Sequence, residues 1–172
     1  MRITGQPYSS DPHELRRIHA SLRLERMPSL YAQFDHPACR EVLNRLVATA
    51  CAGTLIPEHE LTQGIVFTLR RLDGQMERRT LGLTAVSPTQ RQDSGVLHDY
   101  TRYLAARSFF DDRVLLNALV IRSKQQPFPP DGFHPWAHAV GAIGYSTGPE
   151  ERKAYWLREL QKLHTHYQAL PN

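Results

Sequence analysis

Four arginines flank a predicted turn near the middle of the sequence, and their type and spacing point to phosphate recognition. From Ile65 to Leu83 the pattern predicts a strand, an Asp73-Gly74 turn and a second strand, which together form a β-hairpin. The arginines are Arg70, Arg71, Arg78 and Arg79. A guanidinium is a planar fork of donors that matches two phosphate oxygens. We therefore expect this hairpin to contact the phosphates of a nucleic acid.

The register of the hairpin decides which arginines face each other. A three-residue loop over 73–75 sets Phe67 opposite Leu81 and gathers apolar side chains on one face, which a two-residue loop does not do. The same register places Arg70 directly opposite Arg78. Like charges in that position destabilise a sheet unless water or an anion separates them. We therefore predict this register, with the arginine pair available to a phosphate.

Further basic residues lie on two predicted helices. Asp11 is placed as an N-cap and Pro12 as the first helical residue, which predicts a helix over 11–26. A second helix is predicted over 96–108, where two arginines alternate with tyrosines that offer stacking or, more often, half-buried packing. These helices add the candidate nucleic-acid contacts Arg16, Arg17, Arg102 and Arg107.

A hairpin that follows helices resembles the wing of winged-helix DNA-binding proteins in its shape. That resemblance implies a nucleic-acid-binding hairpin, although no recognition-helix motif accompanies it. The segment from Trp136 to Gly141 has the Ala-x-x-x-Gly step of helix-turn-helix units. Thr147 and Glu150 then occupy places where such a unit needs apolar packing, so the pattern disfavours a helix-turn-helix.

Asp131, His134 and His138 form a possible metal-binding set. If a helix begins at His134, the two imidazoles lie one turn apart and Asp131 supplies an oxygen ligand from the preceding turn. The set lacks the glutamate of His-Glu-x-x-His, and two histidines with one acid seldom define a site. The sequence therefore favours the alternative, in which His134 caps a helix and His138 packs in the core.

Asp131 also takes part in a string that suggests a nuclease. Pro130-Asp131 followed by Glu151-Arg152-Lys153 resembles the Pro-Asp, Glu-x-Lys signature of a large nuclease superfamily, in which the acids hold a divalent metal. That signature requires adjacent strands, whereas Glu151 falls in the first turn of a predicted helix. We keep a metal-dependent nuclease or hydrolase as the third hypothesis.

Nucleophilic catalysis and cofactor binding have no support in the sequence. There is no Gly-x-Ser-x-Gly elbow, phosphate-binding loop or dinucleotide fingerprint, so we expect no cofactor. Cys39 and Cys51 fall on one predicted helix about 18 Å apart, too far for a disulfide. We expect both to be thiols packed in the core.

The remaining patterns place these residues on a framework of helices. A core helix is predicted over 37–52, a helical turn over 57–61, and a short helix over 135–143. The stretch 114–121 is ambiguous, with its branched residues favouring a buried strand. Thr147-Gly148-Pro149-Glu150 predicts a capping box at the start of a last helix. The expected core stripe of that helix is Trp156, Leu160, Leu163, Tyr167 and Leu170.

Length and composition set the class of protein. The chain has 172 residues, 41% of them hydrophobic, which suits one α+β domain over 1–172, with four to five helices around a small sheet and flexible ends at 1–10 and 170–172. No apolar run can cross a membrane, so we expect a cytoplasmic protein without a membrane partner. The net charge is +4, and 18 of the 21 basic residues are arginine. This excess is too small to identify a nucleic-acid binder by itself.

The first hypothesis is therefore a non-enzymatic, nucleic-acid-associated accessory protein of a bacterial or mobile-element type. The alternative is a protein interaction module, such as an inhibitor, adaptor or assembly subunit. In that alternative the loop from Pro127 to Phe133 and the C-terminal helix meet a protein partner.

Overall fold

Five α-helices and four short strands make up the part of the chain that the structure describes, which covers residues 29–84, 90–144 and 148–170 of a computed structural model. The helices are α1 (His36–Cys51), α2 (Glu58–Thr62), α3 (Gln90–Asp112), α4 (Phe133–Ala139) and α5 (Pro149–Gln168). The strands are β1 (Ile56–Pro57), β2 (Phe67–Arg70), β3 (Met76–Arg79) and β4 (Val120–Ile121). The predicted α+β class is confirmed. The helix predicted over 11–26, with Arg16 and Arg17, lies outside the described residues.

Helix α1 begins and ends within one residue of its prediction, and a buried carboxylate joins it to two other elements. Asp35 is the N-cap, and its side chain accepts a hydrogen bond from the Ala38 amide. The same carboxylate accepts hydrogen bonds from the Thr68 amide at 2.7 Å and from the Tyr100 hydroxyl at 2.8 Å. Since Asp35 is only 3% exposed, this shared acceptor fixes α1 against β2 and α3.

The hairpin is present, but the predicted register is wrong. Strands β2 and β3 are antiparallel, with Phe67 opposite Arg79 and Arg70 opposite Met76. The loop consists of the three residues 72–74, because the Arg71 amide donates to the Gln75 carbonyl at 2.8 Å. Gly74 is the third loop residue, at φ +82°, which is where a three-residue hairpin loop requires a left-handed residue. The position of this glycine therefore selects the observed register.

Helix α3 is longer than predicted at both ends, since it spans 90–112 rather than 96–108. Asp93 and Ser94, which precede the predicted start of the helix, belong to its first turns. Tyr100 is fully buried and packs edge-on against Phe67 of the hairpin, with ring centroids 5.0 Å apart. The hairpin therefore rests on α3 through its inner face.

The ambiguous stretch over 114–121 combines two structures. A 3₁₀ turn, Leu116–Leu119, leads directly into β4, and every residue from 114 to 121 is buried. Strand β4 pairs in parallel with β1, Ile56 with Val120 and Pro57 with Ile121. The described strands thus form two separate two-stranded sheets rather than one small sheet.

The last two helices agree with the expectation against a helix-turn-helix and correct two other details of the prediction. Residues 140–148 separate α4 from α5, which is far more than the short turn of a helix-turn-helix. Gly148 is the N-cap of α5, whereas the predicted capping box needs Thr147, which lies outside the described residues. The stripe from Trp156 to Tyr167 is buried as predicted, but Leu170 is 50% exposed because the helix has already ended.

The two cysteines have different surroundings. Cys39 is buried, and burial raises the pKa of its thiol to about 11. Cys51 is exposed, so its predicted place in the core is wrong, and both side chains are free thiols. Among the described residues, no helix is long and apolar enough to span a membrane.

Candidate functional site

The alternation of the hairpin sorts its arginines onto two faces. Directly opposed residues share a face, so Arg79 lies on the inner face with Phe67, while Arg70 and Arg78 lie on the outer face. Arg70 and Arg78 are therefore diagonal neighbours, with their Cα atoms roughly 7–8 Å apart, and they are not directly opposed as predicted. We define the outer hairpin face as Thr68, Arg70, Met76 and Arg78.

Arg79 on the inner face serves the fold. Its Nη2 lies 2.6 Å from Oδ1 of Asp93, and its Nε lies 3.8 Å from Glu77. The hydrogen bond with Asp93 raises the pKa of Arg79. Burial opposes the ionisation of Asp93, but the hydrogen bonds from Arg79 and from the Gly82 amide at 2.8 Å lower its pKa below the ordinary value. This ion pair neutralises Arg79 and ties the hairpin to α3.

The outer hairpin face carries charge that the fold does not neutralise. Arg70 and Arg78 are exposed, and neither has an ion pair with any residue that the structure describes. Arg71 at the tip lies 3.8 Å from Asp73. Leu72 is fully exposed at the tip and Met76 is 57% exposed. The outer face and tip therefore combine guanidinium groups with exposed apolar side chains.

The two arginines predicted on α3 do not join each other. Arg102 is half-buried and lines a small cavity beside Gly132, whereas Arg107 lines a separate surface cavity beside Arg40. Five residues apart on a helix, they face different directions. The Arg107 guanidinium lies 5.9 Å from the centre of the Tyr103 ring, and Tyr100 has no exposed ring for stacking. Arg70 and Arg78 share the exposed outer face of the hairpin, whereas Arg102 and Arg107 line two other cavities.

The predicted metal set has other partners. Asp131 accepts a hydrogen bond from Arg122 at 2.9 Å, and Nε2 of His134 lies 3.0 Å from the Arg152 carbonyl oxygen. Burial lowers the pKa of His134, which favours the neutral ring that donates to this carbonyl. Within residues 29–84, 90–144 and 148–170, no three His, Cys, Asp or Glu side chains could hold a metal ion. The candidate trio with His138, which the sequence disfavoured, does not assemble as a metal site in the described part of the chain.

The nuclease string is not assembled as its signature requires. Asp131 lies in the turn before α4, and Glu151 lies in the first turn of α5. The signature places these acids on adjacent strands, and neither residue is on a strand here. The resemblance is therefore confined to the sequence.

A cluster that the sequence did not reveal joins α2 to α3. Glu58 is 4% exposed, and its Oε1 lies 2.8 Å from Nε2 of His98. Ser94 donates to the same carboxylate at 3.1 Å. Because the carboxylate accepts from both groups, this is not a serine–histidine–acid relay, in which histidine lies between the other two. The cluster instead holds the imidazole of His98 in a fixed orientation.

The imidazole of His98 borders the small cavity that Arg102 also lines. Asn117 belongs to the same lining, is 6% exposed, and its Oδ1 has no hydrogen-bond partner among the described residues. A β-carbon at Gly132 would lie 2.9 Å from Nη2 of Arg102 and 3.5 Å from Nδ1 of His98. These residues lie far apart in the chain and form no local motif. Only the unusual Asn within an apolar stretch could have drawn attention to them.

A second, larger groove lies between the proline-rich loop and α5. Its volume is about 550 Å³, and Phe128, Pro130, His134 and Trp156 are among its lining residues. Phe128 is 53% exposed, with its ring centroid 6.3 Å from that of Trp156. The loop and the C-terminal helix that the sequence singled out do meet at this groove.

Comparison with protein-family models, curated proteins and solved structures found no match to this chain.

Proposed function

We propose that this protein binds nucleic acid without catalysis, through phosphate contacts made by the outer hairpin face. The observation that carries the proposal is the contrast between the two faces. Arg79 is neutralised by Asp93, while Arg70 and Arg78 extend into solvent without an ion pair among the described residues. Two neighbouring arginines on the same face of a hairpin suit a phosphate backbone.

The apolar tip supports the same function. Leu72 is fully exposed beside Arg71, and Met76 is exposed opposite Arg70. Both side chains are accessible to a ligand. Proteins that contact the minor groove often combine arginines with an apolar side chain that wedges between base steps. The tip therefore suits a wedge, with the arginines on either side contacting phosphates.

The test is a binding titration that compares two pairs of charge reversals. Fluorescence anisotropy with a labelled duplex and a labelled single strand at low salt would measure the affinity of the full chain. We expect Arg70→Glu/Arg78→Glu to weaken binding at least about tenfold, because two phosphate contacts become repulsive. The matched control is Arg40→Glu/Arg158→Glu, which makes the same change in net charge at exposed positions on α1 and α5.

The control separates a local site from general electrostatic attraction. Binding by wild type and by the control, with loss in the hairpin variant, supports the proposal. Equal loss in both variants assigns the attraction to net charge and refutes a hairpin site. Absence of binding to either oligonucleotide at low salt refutes nucleic-acid binding altogether.

The groove between the loop and α5 favours a second candidate, a protein interaction module. Phe128 is exposed on a rim that otherwise consists of prolines and charged residues, and Trp156 forms part of the floor. Aromatic side chains in such grooves are typical anchors for protein partners. A partner that is retained by Arg70→Glu/Arg78→Glu and lost by Phe128→Asp would favour this candidate over the first.

A further inference from the structure

The small cavity between α3, the 3₁₀ turn and the start of α4 contains polar groups that the fold leaves unsatisfied. Its enclosed volume is about 20 Å³, which holds roughly one oxygen atom the size of a water molecule. The cavity is partly open to solvent, and Gly132 and Arg102 in its lining are partly exposed, whereas Asn117 is buried. His98, Thr101, Arg102 and Asn117 provide its polar lining, and the Thr101 hydroxyl donates to the His98 carbonyl at 3.3 Å. The cavity can therefore receive one oxygen of a larger ligand while the rest of that ligand lies at the mouth.

Asn117 determines which ligand group can bind at the buried end of the cavity. Its Oδ1 is buried and accepts no hydrogen bond from any described residue. Leaving a buried acceptor unpaired costs about 1–3 kcal/mol. An amide oxygen can accept but not donate, so it requires a ligand atom that carries a hydrogen.

Arg102 sets the charge at the mouth. It is half-buried, and burial lowers the pKa of its guanidinium against the opposing effect of Asp99. Asp99 itself accepts hydrogen bonds from Ser29 and from the Leu30 and Tyr31 amides. The side chain of Arg102 makes no hydrogen bond with the described residues, and a desolvated cation in this state attracts an anion.

His98 completes the polar lining, and Glu58 fixes the orientation of its imidazole. Its Nε2 is bound to Glu58 at 2.8 Å, so Nδ1 is the ring nitrogen left for a ligand. As a neutral ring, His98 accepts a second O–H through Nδ1, and as an imidazolium it donates to an anionic oxygen. Either form complements a ligand that has both hydroxyl and anionic oxygens.

We infer that this cavity binds a small oxyanion that retains a proton, namely hydrogen phosphate or bicarbonate. The O–H donates to Oδ1 of Asn117, and an anionic oxygen accepts from Arg102. Sulfate has the size and charge of hydrogen phosphate but no proton at neutral pH, so it leaves Asn117 unsatisfied. This site is separate from the hairpin, and the inference does not depend on nucleic-acid binding.

Gly132 makes the site testable without damage to the fold. Its backbone lies in the ordinary helical region, at φ −75° and ψ −11°, which alanine adopts without strain. An alanine β-carbon would lie 2.9 Å from Nη2 of Arg102, the flexible end of a long side chain. Gly132→Ala therefore displaces the guanidinium while leaving the backbone in place. Gly95→Ala on α3 is the matched control, because its β-carbon meets nothing within 4 Å.

The experiment is isothermal titration of the full chain at pH 8 in chloride buffer of constant ionic strength. Sodium phosphate, sodium bicarbonate and sodium sulfate are the three titrants, and the first two distinguish the sources of the protonated oxyanion. We expect phosphate or bicarbonate to bind at least about tenfold more tightly than sulfate, since sites built for a hydroxyl reject analogues without one. Gly132→Ala should weaken that binding by at least about tenfold, and Gly95→Ala should not change it.

Asn117→Leu tests the proton selection directly. It removes the acceptor at similar volume, so the preference for phosphate or bicarbonate over sulfate should disappear. Circular dichroism would establish that each variant is folded. Equal affinity of wild type for sulfate, no binding of phosphate or bicarbonate at millimolar concentration, or unchanged binding by folded Gly132→Ala would each overturn the inference.

Discussion

Buried and half-buried carboxylates hold the elements of this protein together, each by accepting several hydrogen bonds. Asp35 joins α1, β2 and α3, while Asp99 on α3 binds the turn that precedes α1. Asp93 joins the hairpin to α3, and Glu58 joins α2 to α3. Buried carboxylates are tolerated when every acceptor site is used, so these residues stabilise the fold only as connected groups.

Asp93 offers a test of this role at the level of one residue. We expect Asp93→Asn to lower the free energy of unfolding by about 1.5–3 kcal/mol at pH 7, because hydrogen bonds to an ionised group are lost. The pKa of Asp93 lies below its ordinary value of 3.8 in the fold. The stabilisation is therefore fully present above that value and is lost as the pH falls through the lower folded-state pKa.

Urea denaturation of wild type and variant from pH 7 to pH 2 would measure the difference. The difference in the free energy of unfolding between the two proteins should be constant from pH 7 to pH 5 and should shrink on further acidification. Asp111→Asn is the control, since Asp111 is exposed and no hydrogen bond to its side chain was found among the described residues. A gap that persists unchanged at pH 2 would contradict an ionic role for Asp93.

At this scale the sequence predicts exposed residues better than paired ones. Arg70 and Arg78 are exposed because strand alternation places both on the face opposite to Phe67, and Arg71 is exposed because it flanks the loop. Glu58 and His98 lie 40 residues apart and meet only when α2 packs against α3. No local pattern encodes such a contact. The cavity beside Asn117 was therefore beyond prediction from residue spacing.

At the scale of elements, one glycine decides the geometry of the hairpin. Gly74 at φ +82° closes the loop over 72–74. Side chains at such φ values cost roughly 1–2 kcal/mol, so we expect Gly74→Ala to destabilise the protein by about that amount. Its β-carbon would meet nothing within 4 Å, so the effect is one of backbone strain alone. Thermal unfolding followed by circular dichroism measures it.

Gly95→Ala adds the same methyl group as Gly74→Ala, but we expect it to stabilise the protein. Gly95 lies within α3 in open space, where alanine is favoured over glycine by roughly 0.8–1 kcal/mol. The two variants should therefore shift the melting temperature in opposite directions. A stabilising Gly74→Ala would mean that the loop does not need a left-handed residue.

Element boundaries show which sequence rules were sufficient. Helix α1 was predictable because its apolar period and its N-terminal proline agree. The predicted register is wrong because it follows the pattern of apolar side chains, which favours a loop over 73–75. The left-handed backbone of the third loop residue instead requires Gly74 at that position, and this gives the observed loop over 72–74. Helix α3 extends beyond its predicted start at Val96 because Asp93 and Ser94 are satisfied by Arg79 and Glu58, contacts that lie outside the local sequence.

At the scale of the whole molecule, charge is spread evenly along the chain and concentrated only by folding. Residues 1–86 carry 11 basic and 9 acidic residues, and residues 87–172 carry 10 and 8, so each half has a net charge of +2. Folding pairs Arg79 with Asp93, Arg45 with Glu41 and Arg122 with Asp131. Arg70 and Arg78 on the outer hairpin face have no ion pair among the described residues, and we propose this face as the one that a polyanion contacts.

This distribution predicts a small and local salt dependence. Each phosphate neutralised on duplex DNA contributes about −0.9 to the slope of log K against log salt concentration. Contacts from Arg70, Arg71 and Arg78 then give a slope of about −3, which is much shallower than the slope of proteins with extended basic surfaces. We expect Arg70→Gln/Arg78→Gln to bring the slope to about −1, because two of the three contacts are removed.

Anisotropy titrations at four or more salt concentrations would measure these slopes. Arg40→Gln/Arg158→Gln removes the same charge on other elements and should leave the wild-type slope unchanged. A steep wild-type slope that becomes shallower by the same amount in both variants would indicate a diffuse electrostatic surface. A slope that the hairpin substitutions leave unchanged would place the phosphate contacts elsewhere. The slope counts contacts independently of affinity, so it distinguishes a site of three arginines from the attraction of a net charge of +4.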